Sequence, residues 1–113
     1  MATQRWYHAR MACRAIDFTA ASWQPGAHPL ERKKTAAEAP VGLLEFAPGF
    51  EDPNPCRRGH AAYVIEGEIA LVLEDGREVR ARAGNAFHLD PGTVHRARNP
   101  GSVPVRLFVH SFE

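Results

Sequence analysis

From residue 41 onward, short apolar segments alternate with breaks that glycine and proline force on the chain, and this rhythm restricts the fold more than any other feature. The segments are Val41 to Phe46, His60 to Ile65, Ile69 to Leu73, Glu78 to Ala83, Ala86 to Leu89, Thr93 to Arg98 and Val103 to Phe112. Between them stand Pro48-Gly49, Glu66-Gly67, Asp75-Gly76, Gly84-Asn85, Pro91-Gly92 and Asn99-Pro100-Gly101. A turn signal about every eight to twelve residues is the spacing of an all-β sandwich or barrel. Parallel strands need a long crossover, usually a helix, and no segment here is long enough to supply one, so the sheets are expected to be antiparallel.

The first third of the chain is less regular. Residues 1 to 16 have no period and are expected to form a loose arm, or an edge strand added to a neighbouring subunit. Ile16 to Trp23 alternates weakly and reads as a strand. Gln24-Pro25-Gly26 and His28-Pro29 then impose turns, because proline fixes its own φ and restricts the residue before it. Glu31 to Ala39 admits either a polar strand or a short helical turn, since its apolar members are all alanine and give no strong amphipathic face.

At 113 residues the chain is expected to be one domain, with enough apolar material (44% of residues, against 24% charged) to build a core without a metal or disulfide holding it together. A formal charge of +1 gives no pull toward nucleic acid or an anionic membrane, so neither is expected as a partner. Two cysteines, Cys13 and Cys56, are too few for a disulfide-built secreted scaffold and point to reduced thiols in a cytoplasm. Arg10, Arg14 and Asp17 interrupt any apolar run long enough for a signal peptide or a membrane span.

The stretch from Asn54 to Gly76 carries the chemistry. The Glu66-Gly67 break between two β-branched, apolar runs reads as a tight hairpin turn. In an extended chain alternate side chains share a face, so Cys56, Arg58, His60, Ala62 and Val64 point the same way and the thiol lies beside the imidazole. Tyr63 to Ile65 and Ile69 to Leu73 are apolar on both faces, so their outer side needs a cover, and a second subunit, in a homodimer, is the economical one.

Downstream, Gly84, Gly92, His95 and Asn99 fall on a pattern of Gly, five residues, Pro, any, Gly, two residues, His, three residues, Asn, with Asp90 at the proline place. This resembles the second motif of the cupin family. The first cupin motif keeps its frame with altered ligands: Gly67 matches its terminal glycine, His60 takes the glutamate place, Cys56 that of the second histidine and Asn54 that of the first, with Gly49 near the leading glycine. The resemblance covers about residues 41 to 112 and implies an antiparallel jelly-roll β-barrel.

It also implies a metal inside the barrel held from both motifs, with His95 carried over intact and Cys56 and His60 as substitutions. A thiolate and an imidazole four residues apart on one extended face can converge with a histidine from another strand, and three such ligands with an open fourth position suit a divalent metal. Zinc comes first by its sulfur ligand, with iron, nickel or manganese as the other candidates. Asn54 is a weak ligand for such ions. His88 has the opposite parity to Phe87 and Leu89 and is expected to face outward, as are Arg96 and Arg98, while His8, His28 and His110 lack partners at ligand spacing. Arg58 shares the ligands' parity and could anchor an anionic substrate at the rim. No second general base stands out. Three functions fit: an enzyme acting on a small organic acid or sugar-like ligand, a protein that binds or senses a small molecule or metal without turnover, and a structural barrel that has lost its metal.

Overall fold

The computed structural model describes residues 13–37 and 39–112. Among the described residues there are nine strands: β1 (Gln24–Pro25), β2 (Glu31–Thr35), β3 (Val41–Phe46), β4 (Gly59–Glu66), β5 (Glu68–Leu73), β6 (Glu78–Arg82), β7 (Ala86–Leu89), β8 (His95–Arg98) and β9 (Val105–Phe112). The segments read from Val41 onward all appear, within about two residues at each end. Every pairing is antiparallel.

The strands form two sheets, a six-stranded one in the order β1-β2-β3-β9-β4-β7 and a three-stranded one in the order β6-β5-β8. They face each other as a jelly roll instead of closing into one continuous hydrogen-bonded barrel. Alternation along the strands sends Phe46, Val64, Ile69, Leu71, Val105 and Leu107 into the space between them, where they form the core with Phe50. Phe46 and Phe50 stack with ring centroids 4.1 Å apart. Each such side chain contributes about 1.5–3 kcal/mol by leaving water.

The expected hairpin at Gly67 is not formed: β4 pairs with β9 and β7, and β5 pairs with β6 and β8. Gly67 is instead the corner at which the chain passes from the large sheet to the small one. It adopts φ +78°, and a Cβ placed there would lie 2.5 Å from the Pro104 carbonyl oxygen, so only glycine fits the approach. The ladder between β4 and β9 also slips its register between Val64 and Glu66, which turns the strand end toward that corner.

Two further expectations need correction, and one open choice is settled. Ile16 to Trp23 is not a strand, because the Asp17 carboxylate accepts hydrogen bonds from the Thr19 backbone N–H and hydroxyl and bends the chain into a turn. Trp23 then lies beneath the cationic groups of Arg32, Lys34 and Arg106, at 4.3, 4.9 and 5.6 Å from its ring centroid. Gln24 and Pro25 belong to a short strand, with the turn displaced to Gly26–Leu30. Of the two options for Glu31 to Ala39, the strand is taken, over Glu31–Thr35.

The cover over β5 also differs from expectation. Leu71 points into the interior, and Ala70, which does face outward, is fully buried within the single chain. Its cross-strand partners are Arg80 and Arg98, and these converge on Glu78 in ion pairs that lie over the small sheet. Arg98 is therefore paired rather than merely solvated. Among the described residues, Tyr63, Ile65 and Phe108 on the outer face of the large sheet are exposed, as are Val79 on the small sheet and Leu30 and Val103 in loops. Of the expected N-terminal arm, residues 1–12 lie outside the described residues, and 13–16 form no regular structure. Among the described residues no helix is long and apolar enough to cross a membrane.

Candidate metal centre

Cys56 precedes β4 and His95 opens β8, and the two form an isolated antiparallel bridge. The Cys56 N–H donates to the His95 carbonyl at 2.8 Å and the His95 N–H to the Cys56 carbonyl at 3.0 Å. Residues that exchange both bonds present their side chains on the same side. The loop before His95 is fixed as well: the Gly92 N–H donates 2.8 Å to the Arg57 carbonyl, next to Cys56.

His60 enters from β4 on the inward face that its parity with Ala62 and Val64 requires. Its Nε2 lies 3.6 Å from Cys56 Sγ, and its ring stands at 85° to that of His95 with centroids 5.4 Å apart. One ligand atom from each of Cys56, His60 and His95 lies within 4.8 Å of the others. The three residues singled out from the sequence are thus brought together. Asn54 is exposed on its loop and does not line the cavity they share.

The donor set fits a metal. Bonds of about 2.3 Å to sulfur and 2.0–2.1 Å to nitrogen at a tetrahedral angle set S and N about 3.5 Å apart. The observed 3.6 Å agrees. His95 Nδ1 lies 2.8 Å from the Thr93 carbonyl oxygen, which can only accept, so Nδ1 carries the proton and Nε2 keeps its lone pair for an ion. His60 Nδ1 lies 3.0 Å from the Ser111 hydroxyl, which can play the same part for its ring. Burial, reinforced by the nearby His95 and Arg58, pushes the His60 pKa down to about 4, so its imidazole stays neutral through the mildly acidic range.

Around this group lies a cavity of about 190 Å³. Its wall is largely apolar, with Leu44, Phe46, Ile69, Leu71, Phe87 and Leu107 as its main members, and the three donors, Glu31 and Asp52 also line it. Asp52 was not distinguishable in the sequence from any other loop carboxylate. Its Oδ2 accepts from the Ala97 N–H at 2.7 Å, and its own N–H donates to the Ala97 carbonyl at 2.9 Å, which turns it inward two residues beyond His95. Burial raises its carboxyl above the ordinary range, against the Ala97 hydrogen bond and the nearby His95 and Arg96. An acid–base group is therefore present where none was expected.

The motif asparagine has a structural part. Asn99 is buried, donates to the carbonyls of Phe46 and Val103, and accepts from the Gly101 N–H, tying the end of β3 to the turn before β9. His88 and His110 lie on the outer face of the large sheet, beside Phe112, and His28 packs edge-on against Phe50. His8 is outside the described residues.

Residues 42–111 match the family profile of the cupin domain. The chain is a cupin. A curated relative, the tetracenomycin polyketide synthase protein TcmJ of Streptomyces glaucescens, is 36% identical over 70 residues, which covers 59% of this cupin and 46% of that protein. The match thus spans under half the length of the relative. Among solved structures, the polyketide cyclase RemF of Streptomyces resistomycificus is similar at TM-score 0.72 and 20% identity, over 90% of this chain and 81% of that one. A sugar phosphate isomerase of the cupin superfamily from Silicibacter pomeroyi is similar at TM-score 0.70 and 16% identity, over 88% and 76%. At such identities the two structures share the fold of this cupin and no more.

Proposed function

We propose that this cupin holds one divalent ion, zinc before iron, nickel or manganese, on Cys56, His60 and His95, and acts there on a small, largely apolar, oxygen-bearing organic molecule. The observation that carries this reading is a largely apolar cavity lined by three converging N and S donors and by the Asp52 carboxyl group. Its volume, about 190 Å³, is below the roughly 300–1,000 Å³ of sites for drug-sized ligands, so the bound part of the ligand is small.

An ion held by three protein donors supplies a Lewis-acid position open to a ligand oxygen. The side chains do the rest. Leu44, Phe46 and Leu107 exclude water and pack the ligand body. Asp52, with one carboxylate oxygen held by Ala97, keeps the other for a proton of the ligand. Thr93 and Ser111 hold the two imidazoles in orientation.

The choice between the two chemistries named among the similar proteins rests on the wall. A sugar phosphate has a hydroxyl on nearly every carbon, and each one left without a partner in an apolar cavity costs about 1–3 kcal/mol. A polyketide-like ring or β-dicarbonyl chain matches the wall and presents oxygens to one end. The test is to incubate the zinc-loaded protein with a panel of small β-dicarbonyl and aromatic ketone compounds and a panel of sugar phosphates, following conversion by mass spectrometry. Conversion within the first panel, lost in Asp52→Asn, supports the enzyme. Saturable binding without conversion makes the protein a binder, and conversion confined to the sugar phosphates overturns the reading.

We further propose a homodimer, with the exposed Tyr63, Ile65 and Phe108 of the large sheet as the contact. Three large apolar side chains on one open sheet face are what a second copy would cover.

A further inference from the structure

A second cavity, of about 330 Å³, adjoins the first: both are lined by Glu31, Leu44, His60 and Val109. To these the outer cavity adds Lys33, Thr35, Arg58 and Ser111. His60 therefore stands between an inner chamber and an outer one that is the more open to solvent and carries two cationic side chains on a largely apolar wall.

Both cations are aimed there by the backbone. Lys33 is opposite Leu44 in the β2–β3 register, so it shares the inward face of the sheet with a residue of the inner chamber. Arg58 has the parity of Cys56 and His60, and its charge is one of those that act on the His60 ring. Among the described residues neither Lys33 nor Arg58 enters an ion pair, whereas Arg32 and Arg106 are engaged by Glu45, and Arg80 and Arg98 by Glu78. Glu31 faces the same space, with its Oε1 turned back to accept from the Ala27 N–H at 3.2 Å.

We propose that the outer chamber is a carboxylate-binding subsite, in which Lys33 and Arg58 hold the anionic group of a ligand whose uncharged part extends past His60 into the inner chamber. This deepens the reading of the metal centre by assigning the ligand a class, an organic acid with a compact apolar body. The charge distribution fixes its direction. The inner chamber offers the uncharged part an apolar wall of Leu44, Phe46, Ile69 and Leu107, while the outer one offers the anionic group two cations and the hydroxyls of Thr35 and Ser111. Arginine adds a planar fork suited to a carboxylate, and lysine a point charge.

The test uses benzoate as probe and benzamide as its neutral match, titrated by calorimetry into the full-length protein in zinc-loaded and metal-free forms. The subsite predicts that benzoate binds both forms more tightly than benzamide does. It also predicts that Lys33→Gln with Arg58→Gln weakens benzoate about tenfold or more while leaving benzamide within about twofold, given what a hydrogen bond to a charged group contributes. Arg57→Gln, an exposed charge outside both chambers, should leave both probes unchanged. Equal affinity for the two probes, no benzoate binding, or benzoate binding that survives the double substitution overturns the subsite. Benzoate that binds only the zinc-loaded protein and ignores Lys33 and Arg58 is ligated by the metal, which also overturns the subsite while sparing the metal reading. Benzoate binding that depends on the two cations in a protein that takes up no zinc does the reverse.

Discussion

Cys56 and His95 face each other across a bridge in which each donates its backbone N–H to the other's carbonyl, at 2.8 and 3.0 Å. Two residues 39 positions apart are thereby held as cross-strand neighbours by the main chain, before any ion is considered. The side chains of such a pair share a face, and His60 reaches the same point from β4. The donor group is therefore a product of sheet geometry and should persist in the metal-free protein.

Protonation of His60 gives the metal-free protein a pH dependence of known sign. Its folded pKa is about 4 against an ordinary 6.5, so between those values the unfolded chain binds the extra proton. Stability from this group is complete above about pH 6.5 and is lost as pH falls toward about 4. Urea midpoints of metal-free wild type and His60→Gln, measured across this window, should diverge, with the wild type losing more stability on acidification. Parallel curves would contradict the assignment.

Asn99 should matter for stability and little for chemistry. Asn99→Leu leaves the buried carbonyl of Phe46 without its side-chain donor and the Gly101 N–H without its acceptor. At about 1–3 kcal/mol for each group left unpaired, the loss should reach about 2–6 kcal/mol by denaturant unfolding. A loss under about 0.5 kcal/mol would show that water replaces these bonds without cost.

Gly67 and Gly76 both adopt positive φ, +78° and +89°, but only Gly67 is walled in, by the backbone of Pro104 and Val105. Gly76→Ala should cost only the strain of the left-handed conformation, about 1–2 kcal/mol. Gly67→Ala adds a clash with main chain that cannot move aside and should cost clearly more. Equal losses in denaturant unfolding would mean that the corner between the sheets is yielding.

The proposed dimer makes Phe108 a sensitive position, being 39% exposed on the open face of the large sheet. Sedimentation of the wild type should give twice the chain mass, and Phe108→Glu should give the monomer with an unchanged circular dichroism spectrum. A monomeric wild type would remove the idea.

Much of this arrangement could be read from the residues. Strand parity alone set Cys56 beside His60, because their spacing of four preserves a face, and the turn residues bracketed the strands from Val41 onward. Two kinds of information were out of reach. Gly67 marks a change of direction, but whether the chain reverses within a sheet or steps to another depends on β9 inserting between β3 and β4, a pairing of distant segments. Glu31–Thr35 lacks an apolar period because its inward residues Glu31 and Lys33 face the chamber rather than the core, which hid the strand. Asp52 points inward only because Ala97 holds it there.

Metal content tests the central claim most directly. Elemental analysis of the purified full-length protein, before and after dialysis against zinc, should give close to one divalent ion per chain, and Cys56→Ala with His95→Ala should abolish it while the β-sheet spectrum is kept. A wild type that stays metal-free after reconstitution, or a double variant that binds as much metal as the wild type, would contradict the account.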